Sequence, residues 1–193
     1  LQLAESEYKK FNGKQRYVRG LYSGGTVCSE STLILADFVP TVTSNMPPRA
    51  ELEMKDTKVS VAHALVDLGD EEFTVGRAHP MIDPFVRKQR FLQEARDPET
   101  AVILLDVVLG YGSHPDMARV LADTIIEAKS LKEKEGGYLS VVASVIGTEE
   151  DPQKRSEQEK KLLDCGVVIM PSNAQAARMA ALIATRGEIK NRL

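Results

Sequence analysis

Ala101-Val102-Ile103-Leu104-Leu105-Asp106-Val107-Val108-Leu109-Gly110-Tyr111-Gly112-Ser113-His114-Pro115-Asp116 is the stretch that decides the fold. Ala101–Leu109 is apolar on both faces except at Asp106, as a central parallel strand buried on two sides must be. The Gly-rich corner Gly110–Asp116 ends it, and an amphipathic helix then runs from Asp116 to about Lys129. Such corners matter because a helix N-terminus at the carboxyl end of a parallel strand presents unpaired N–H groups and a positive dipole end to an anion.

Working outward, the same pattern repeats. Tyr17–Tyr22 reads as a first strand, Ser23-Gly24-Gly25-Thr26 as its corner and Val27 to Phe38 as a helix. Ala64–Leu68 is a second strand, followed by a long loop and a helix ending at Ala95, with Asp83 as N-cap and Pro84 in the first turn. Leu139–Ile146 and Val167–Met170 are the fourth and fifth strands. Helices follow them over Asp151–Asp164, with Cys165-Gly166 as a stop, and Asn173–Thr185, capped by Ser172 or Asn173. Residues 39–63 are irregular, with a turn at Ser44–Pro48. Strands alternating with helices predict an α/β fold: a doubly wound, five-stranded, mostly parallel sheet with helices on both faces. Ligands in such sheets bind at the carboxyl ends of the strands, beside the switch in strand order.

The bulk composition narrows the function classes. A length of 193 residues suits one domain with a sizeable core, or two very small ones, and 42% hydrophobic with 27% charged residues is ordinary for a globular protein. A net charge of −3 leaves no footprint for nucleic acid; the basic run Arg87-Lys88-Gln89-Arg90 reads as a solvated helix face. No stretch is apolar enough to span a membrane, and none reads as a signal peptide. Two distant cysteines, Cys28 and Cys165, suit a reducing cytoplasm and offer no metal spacing. No Met opens the chain, so a piece of a longer polypeptide is expected, with residues 1–15 a linker from a preceding domain.

Three segments carry candidate chemistry. Ser23, Gly24, Gly25 and Thr26 offer close backbone approach and hydroxyls for an anion, or else make a plain strand-to-helix turn with a Thr cap. Gly112 and Ser113 do the same at the second corner, where Ser113 or His114 caps the helix and His114 acts as an acid/base or simply as a solvated cap. The loop Gly69–Pro84 contributes Arg77, suited to bidentate carboxylate or phosphate contact, and His79 as acid/base; its alternative is an acid-rich lid. Asp70, Glu71, Glu72 and Asp83 match no calcium loop, so no metal is assigned. His63 and Cys28 read as packed structural residues.

These segments resemble a known family. Gly25-Thr26-Val27-Cys28-Ser29-Glu30 is similar to the GTLTYEA segment of the succinyl-CoA synthetase alpha subunit, and Phe91–Ile103 to its EMFEKDPQTEAIV stretch. The runs Arg19–Thr26, Asp67–Asp70 with Arg77–Pro84, and Leu105–Pro115 resemble the FdrA branch of acyl-CoA-synthetase-like proteins. The likeness extends over Arg16 to Ala184. It implies a flavodoxin-like CoA-ligase-type domain over residues 16–193, with 39–63 an insertion, and a CoA-binding-type domain N-terminal to it. No cofactor is then expected in this fragment alone; CoA or a nucleotide would need that N-terminal domain. In the synthetases a phosphohistidine in a GHAGA loop carries phosphate, but the equivalent stretch, Gly147–Ser156, has no His, and the Glu of their GEIGG motif falls near Leu109.

The resemblance therefore implies a cytoplasmic subunit binding an acyl- or carbamoyl-phosphate and a small carboxylate. Its setting would be an oxamate carbamoyltransferase-type complex of allantoin and purine catabolism, with other subunits or further copies of itself as partners. In that reading His79, His114 and Arg77 are catalytic, and Ser23, Gly24, Gly25, Thr26, Gly112 and Ser113 hold the anion. Two alternatives stand beside it: an acid–CoA ligase domain with its phosphate carrier moved to His79 or His114, and a non-catalytic assembly module.

Overall fold

The computed structural model describes residues 1–192. Six strands, β1 (Tyr17–Tyr22), β2 (Val42–Ser44), β3 (His63–Asp67), β4 (Thr100–Val108), β5 (Ser140–Ile146) and β6 (Val168–Met170), form one sheet in the order β2-β3-β1-β4-β5-β6. Every pairing is parallel. The helices are α1 (Gln2–Tyr8), α2 (Gly25–Ala36), α3 (Glu71–Thr74), α4 (Phe85–Arg96), α5 (Met117–Lys134), α6 (Arg155–Asp164) and α7 (Asn173–Ala184). Without β2 the order is that of flavodoxin-like sheets.

The sixth strand corrects the expected five. Val42–Ser44 is too short to show a period-two pattern and is framed by Pro40 and Pro47-Pro48, so it reads as irregular chain. Pairing makes it a strand: Val42 aligns with His63 and Ser44 with Leu65. Helix ends differ from the sequence reading at α5 and α6. α5 runs on to Lys134, because Lys132 folds inward and its Nζ donates to Ala95 O at 3.0 Å. α6 starts at Arg155, because Asp151 turns back to accept from Thr148 N and Lys154 takes φ +52°. Gly166, at φ +74°, closes α6 as expected. At the other end of the chain, within residues 1–15, α1 packs against α7.

The two faces of the sheet bury separate cores. Tyr22, Leu65, Val102, Leu104 and Val142 meet α2 and α7 on one face; Leu21, Val66, Ile103, Leu105 and Val141 meet α4, α5 and α6 on the other. Thus β1 leads into α2 on one face and its neighbour β4 into α5 on the opposite face. That divergence is the switch point, where two strand ends separate and leave a gap.

A buried ion pair closes the base of the gap. Arg87 of α4 and Asp106 of β4 are both fully buried, with Arg87 Nη2 2.7 Å from Asp106 Oδ1. The same nitrogen donates to Leu21 O at 3.0 Å and to Asp106 O. From the other side Ser23 donates its N–H at 2.9 Å and its hydroxyl at 3.0 Å to the Asp106 carboxylate. The basic run of α4 is therefore not a solvated face: Arg87 and Arg90 both point inward. Removing one partner strands a buried charge, so Arg87→Met should cost about 3–5 kcal/mol; urea unfolding checks it, and a loss below about 1 kcal/mol would contradict the placement.

His63 is buried at the start of β3, and its Nδ1 accepts from Val18 N at 3.1 Å. Burial, helped by the Arg19 charge, pushes its pKa down from 6.5 to about 4. The unfolded state therefore binds more protons between those values, and stability rises with pH there. The contribution is complete above pH 6.5 and lost as pH falls through about 4, amounting to roughly 3 kcal/mol. Urea midpoints across that window should fall more steeply for the wild type than for His63→Gln; parallel slopes would contradict this.

Candidate functional site

The carboxyl edge of the sheet carries the turns leading into α2, α4, α5, α6 and α7, and their first-turn amides set its chemistry. Four of these helices satisfy amides with their own side chains. Asp83 accepts from Phe85 N in α4 at 2.9 Å, and Asp116 from Arg119 N in α5 at 3.3 Å. Glu149 accepts from Ser156 N in α6 at 2.6 Å, and the Ser172 hydroxyl from Gln175 N in α7 at 3.2 Å. Of these five, only α2 has no side chain accepting from its first turn; its N-cap is Gly24, in extended conformation. An uncapped helix start at the switch point is an anion-binding arrangement.

The six expected anion contacts separate accordingly. Gly24, Gly25 and Thr26 form the bare start of α2, with Gly24 and Gly25 half-buried and Thr26 exposed. Ser23 is turned inward onto Asp106 and is 1% exposed, so its N–H and hydroxyl already have a partner. Gly112 and Ser113 sit on the β4–α5 loop, which follows α5 to the other face. Ser113 N donates to Gly110 O, and Gln153 clamps the loop: its amide donates to Gly110 O at 2.7 Å and accepts from Gly110 N at 3.1 Å. The α5 cap is Asp116 rather than Ser113 or His114. Burial alone would raise the Asp116 carboxyl, but Lys161 at 2.7 Å and Gln158 hold it below the ordinary range. The α5 start is thus filled by the chain's own carboxylate.

The three expected catalytic side chains also divide. Arg77 is exposed and lies over the Phe85 ring, 5.8 Å from its centroid. His114 and His79 come from loops joined by a backbone hydrogen bond, His114 N to Met81 O at 2.7 Å. Both rings accept at Nδ1, His79 from Met81 N at 3.2 Å and His114 from Asp116 N at 3.0 Å. Each neutral ring therefore carries its proton on Nε2.

His79 lies against Gly69, whose neighbour Asp67 ends β3. A Cβ built on Gly69 would collide with His79 Nε2 and lie 3.1 Å from Asp67 Oδ1; one built on Gly25 would lie 3.1 Å from Asp67 Oδ2. The Asp67 carboxyl thus spans the space between the His79 loop and the first turn of α2. Burial, opposed by the Gly69 N–H and reinforced by Asp106, raises its proton affinity, while His79 lowers it. Below lies Cys28, 3.5 Å from Ser44 Oγ, whose thiol burial pushes up to about 12. It is inert packing, as its sequence context suggests.

Sequence reasoning missed Asp67, Asp106, Arg87 and Gln153. Asp106 had a signal, the only charge in an apolar strand. Arg87 and Gln153 had none, because their partners lie 19 and 43 residues away.

Two comparisons bear on this site. The sequence profile of the CoA-ligase family matches residues 21–183. The uncharacterized protein YahF of Escherichia coli (strain K12) is 42% identical over 175 residues, covering 91% of this chain and 34% of YahF. The chain thus spans about a third of the length of that relative. With the profile running from β1 through all but the last residue of α7, the chain belongs to the CoA-ligase family.

Proposed function

We propose that this chain is the ligase-type domain of an acid–CoA-ligase-like protein and that it holds a small acyl phosphate at the start of α2. The observation that carries the reading is the one uncapped helix among five on the carboxyl edge. Gly24, Gly25 and Thr26 give the phosphoryl oxygens backbone donors, and the absent Cβ at Gly25 keeps space between Met46 and Asp67. The two nearby carboxylates are compatible with an anion. Asp106 is paired with Arg87 and Ser23, and Asp67 gives up its charge more readily than an ordinary Asp.

Within this reading His79 and His114 donate from Nε2 and do not carry phosphate. A phosphoryl acceptor needs a free lone pair, and in each neutral ring Nδ1 is engaged while Nε2 is protonated. The stretch Gly147–Ser156 contains no His to take that role. Support thus goes to direct transfer from a bound acyl phosphate, with carbamoyl phosphate as the finer assignment and an oxamate carbamoyltransferase-type complex in purine breakdown as its setting. CoA, a CoA-binding-type domain, and further subunits or copies of this chain enter as partners of the longer protein, in the cytoplasm. Arg77, Gly112 and Ser113 belong to loops of the same edge and are assigned to the carboxylate co-substrate.

Two measurements test this. Calorimetric titration should show binding of acetyl phosphate and carbamoyl phosphate. Gly24→Asp, which supplies α2 with its own cap, should weaken both by roughly tenfold or more while leaving the fold intact. Equal affinity in the variant would remove α2 from the site. Incubation with acetyl phosphate labelled in the phosphoryl group should leave no acid-labile phosphate on the chain; phosphohistidine at His79 or His114 would favour the ligase reading with a relocated carrier.

A further inference from the structure

The outer flank of α2 carries a cleft of about 480 Å³, lined by Gly25, Ser29 and Leu33 of the helix and by Met46 and Pro48 opposite them. Gly25, Ser29 and Leu33 follow one another at i, i+4 spacing and so form one stripe of the helix surface. The two small residues make the floor, and Leu33, 43% exposed, closes the far end. At 1.5 Å of rise per residue the stripe runs about 12 Å from the helix start.

The opposite wall is fixed by the turn after β2. The Asn45 side chain bonds the N–H and the carbonyl of Asp67, at 2.8 and 2.9 Å, and Met46 N donates to Ser44 Oγ at 3.0 Å. The Met46 methyl is thereby set against Gly25, where a Cβ would lie 2.8 Å from it. The cleft thus begins at Gly25 and Thr26, two residues of the anion site. Its charge is of one sign. The ionisable lining residue is Glu30, whose carboxylate accepts from Asn173 Nδ2 at 2.7 Å, and no Lys, Arg or His among the described residues lines it. Arg49, beside Pro48, is turned to Glu51, 3.8 Å away.

We propose that this cleft is an acyl subsite, in which an uncharged aliphatic chain lies along Gly25, Ser29 and Leu33 while its phosphoryl end meets the start of α2. The inference rests on the acyl-phosphate reading and deepens it by naming a substrate class. Carbamoyl phosphate fills only the mouth of the cleft; an acyl phosphate with a longer chain fills its length as well. Two features select the tail. Methylenes are removed from water against Met46, Pro48 and Leu33, and the unbranched Met46 thioether adapts to chains of different shape. A second carboxylate at the end of the chain would meet Glu30 and no cation, so dicarboxylic acyl groups are rejected.

The test is calorimetric titration with acetyl, hexanoyl and adipoyl phosphate, the last being the hexanoyl compound with a carboxylate at its far end. In a groove open on one side each methylene is worth about twofold, half the free energy of full burial, so hexanoyl phosphate should bind roughly tenfold tighter than acetyl phosphate. Adipoyl phosphate should bind no tighter than acetyl phosphate. Ser29→Phe, which raises the floor, should bring the hexanoyl-to-acetyl ratio down toward one. Leu33→Lys, at the exposed end, should raise adipoyl phosphate relative to hexanoyl phosphate, a gain that misfolding cannot produce. Equal binding of acetyl and hexanoyl phosphate by the wild type, adipoyl phosphate matching hexanoyl phosphate there, or preferences unmoved in both variants overturns the subsite and leaves the anion site standing. Absence of binding by all three compounds removes the acyl-phosphate reading itself, and the subsite with it.

Discussion

The contact on which the carboxyl edge depends is the Arg87–Asp106 pair in the gap between β1 and β4. A doubly wound sheet opens a crevice where neighbouring strands send their helices to opposite faces. Here the guanidinium enters from the α4 side, bonds the carbonyls of Leu21 and Asp106, and fixes the Asp106 carboxylate. That carboxylate in turn draws down the Ser23 amide and hydroxyl. The chain leaves β1 with Ser23 pinned, and Gly24 and Gly25 carry it over the edge into α2. The buried charge pair adds little net stability against an apolar substitute, but it sets where α2 begins.

From that constraint the division of the edge follows. The starts of α5 and α6 are occupied by Asp116 and Glu149, while α2 keeps its amides unpaired. With Gly24 at the N-cap, the missing side chain costs α2 only a few tenths of a kcal/mol. The neighbouring carboxylate, Asp67, does not cap α2. One of its oxygens lies beside Gly25 and the other beside Gly69, where the His79 ring also packs.

Much of this was legible in the sequence. The apolar run of β4, the Gly corner after β1 and the strand–helix alternation revealed the layers and the carboxyl edge of the sheet, because each is a local pattern with its own periodicity. The CoA-ligase likeness drawn from Gly25–Glu30 and Phe91–Ile103 agrees with the family match. What escaped was set by distant partners. β2 exists because β3 lies beside it; Arg87 is buried because Asp106 waits across the sheet; Ser23 is withdrawn from the site for the same reason. Residue type alone cannot tell an amide or hydroxyl facing solvent from one already engaged within the fold. For that reason Ser23, one of the six expected anion contacts, is already engaged, while Gly24, Gly25 and Thr26 open α2 and Gly112 and Ser113 sit on a separate, Gln153-clamped loop.

The central claim is that α2, and no other helix start, receives the anion. Backbone amide shifts followed by two-dimensional NMR during addition of acetyl phosphate test it most directly. The account predicts saturable shifts concentrated at Gly24, Gly25 and Thr26, with His79 responding and the starts of α5 and α6 silent. Shifts centred on Met117–Arg119 or Arg155–Glu157, with Gly24–Thr26 unmoved, would contradict it.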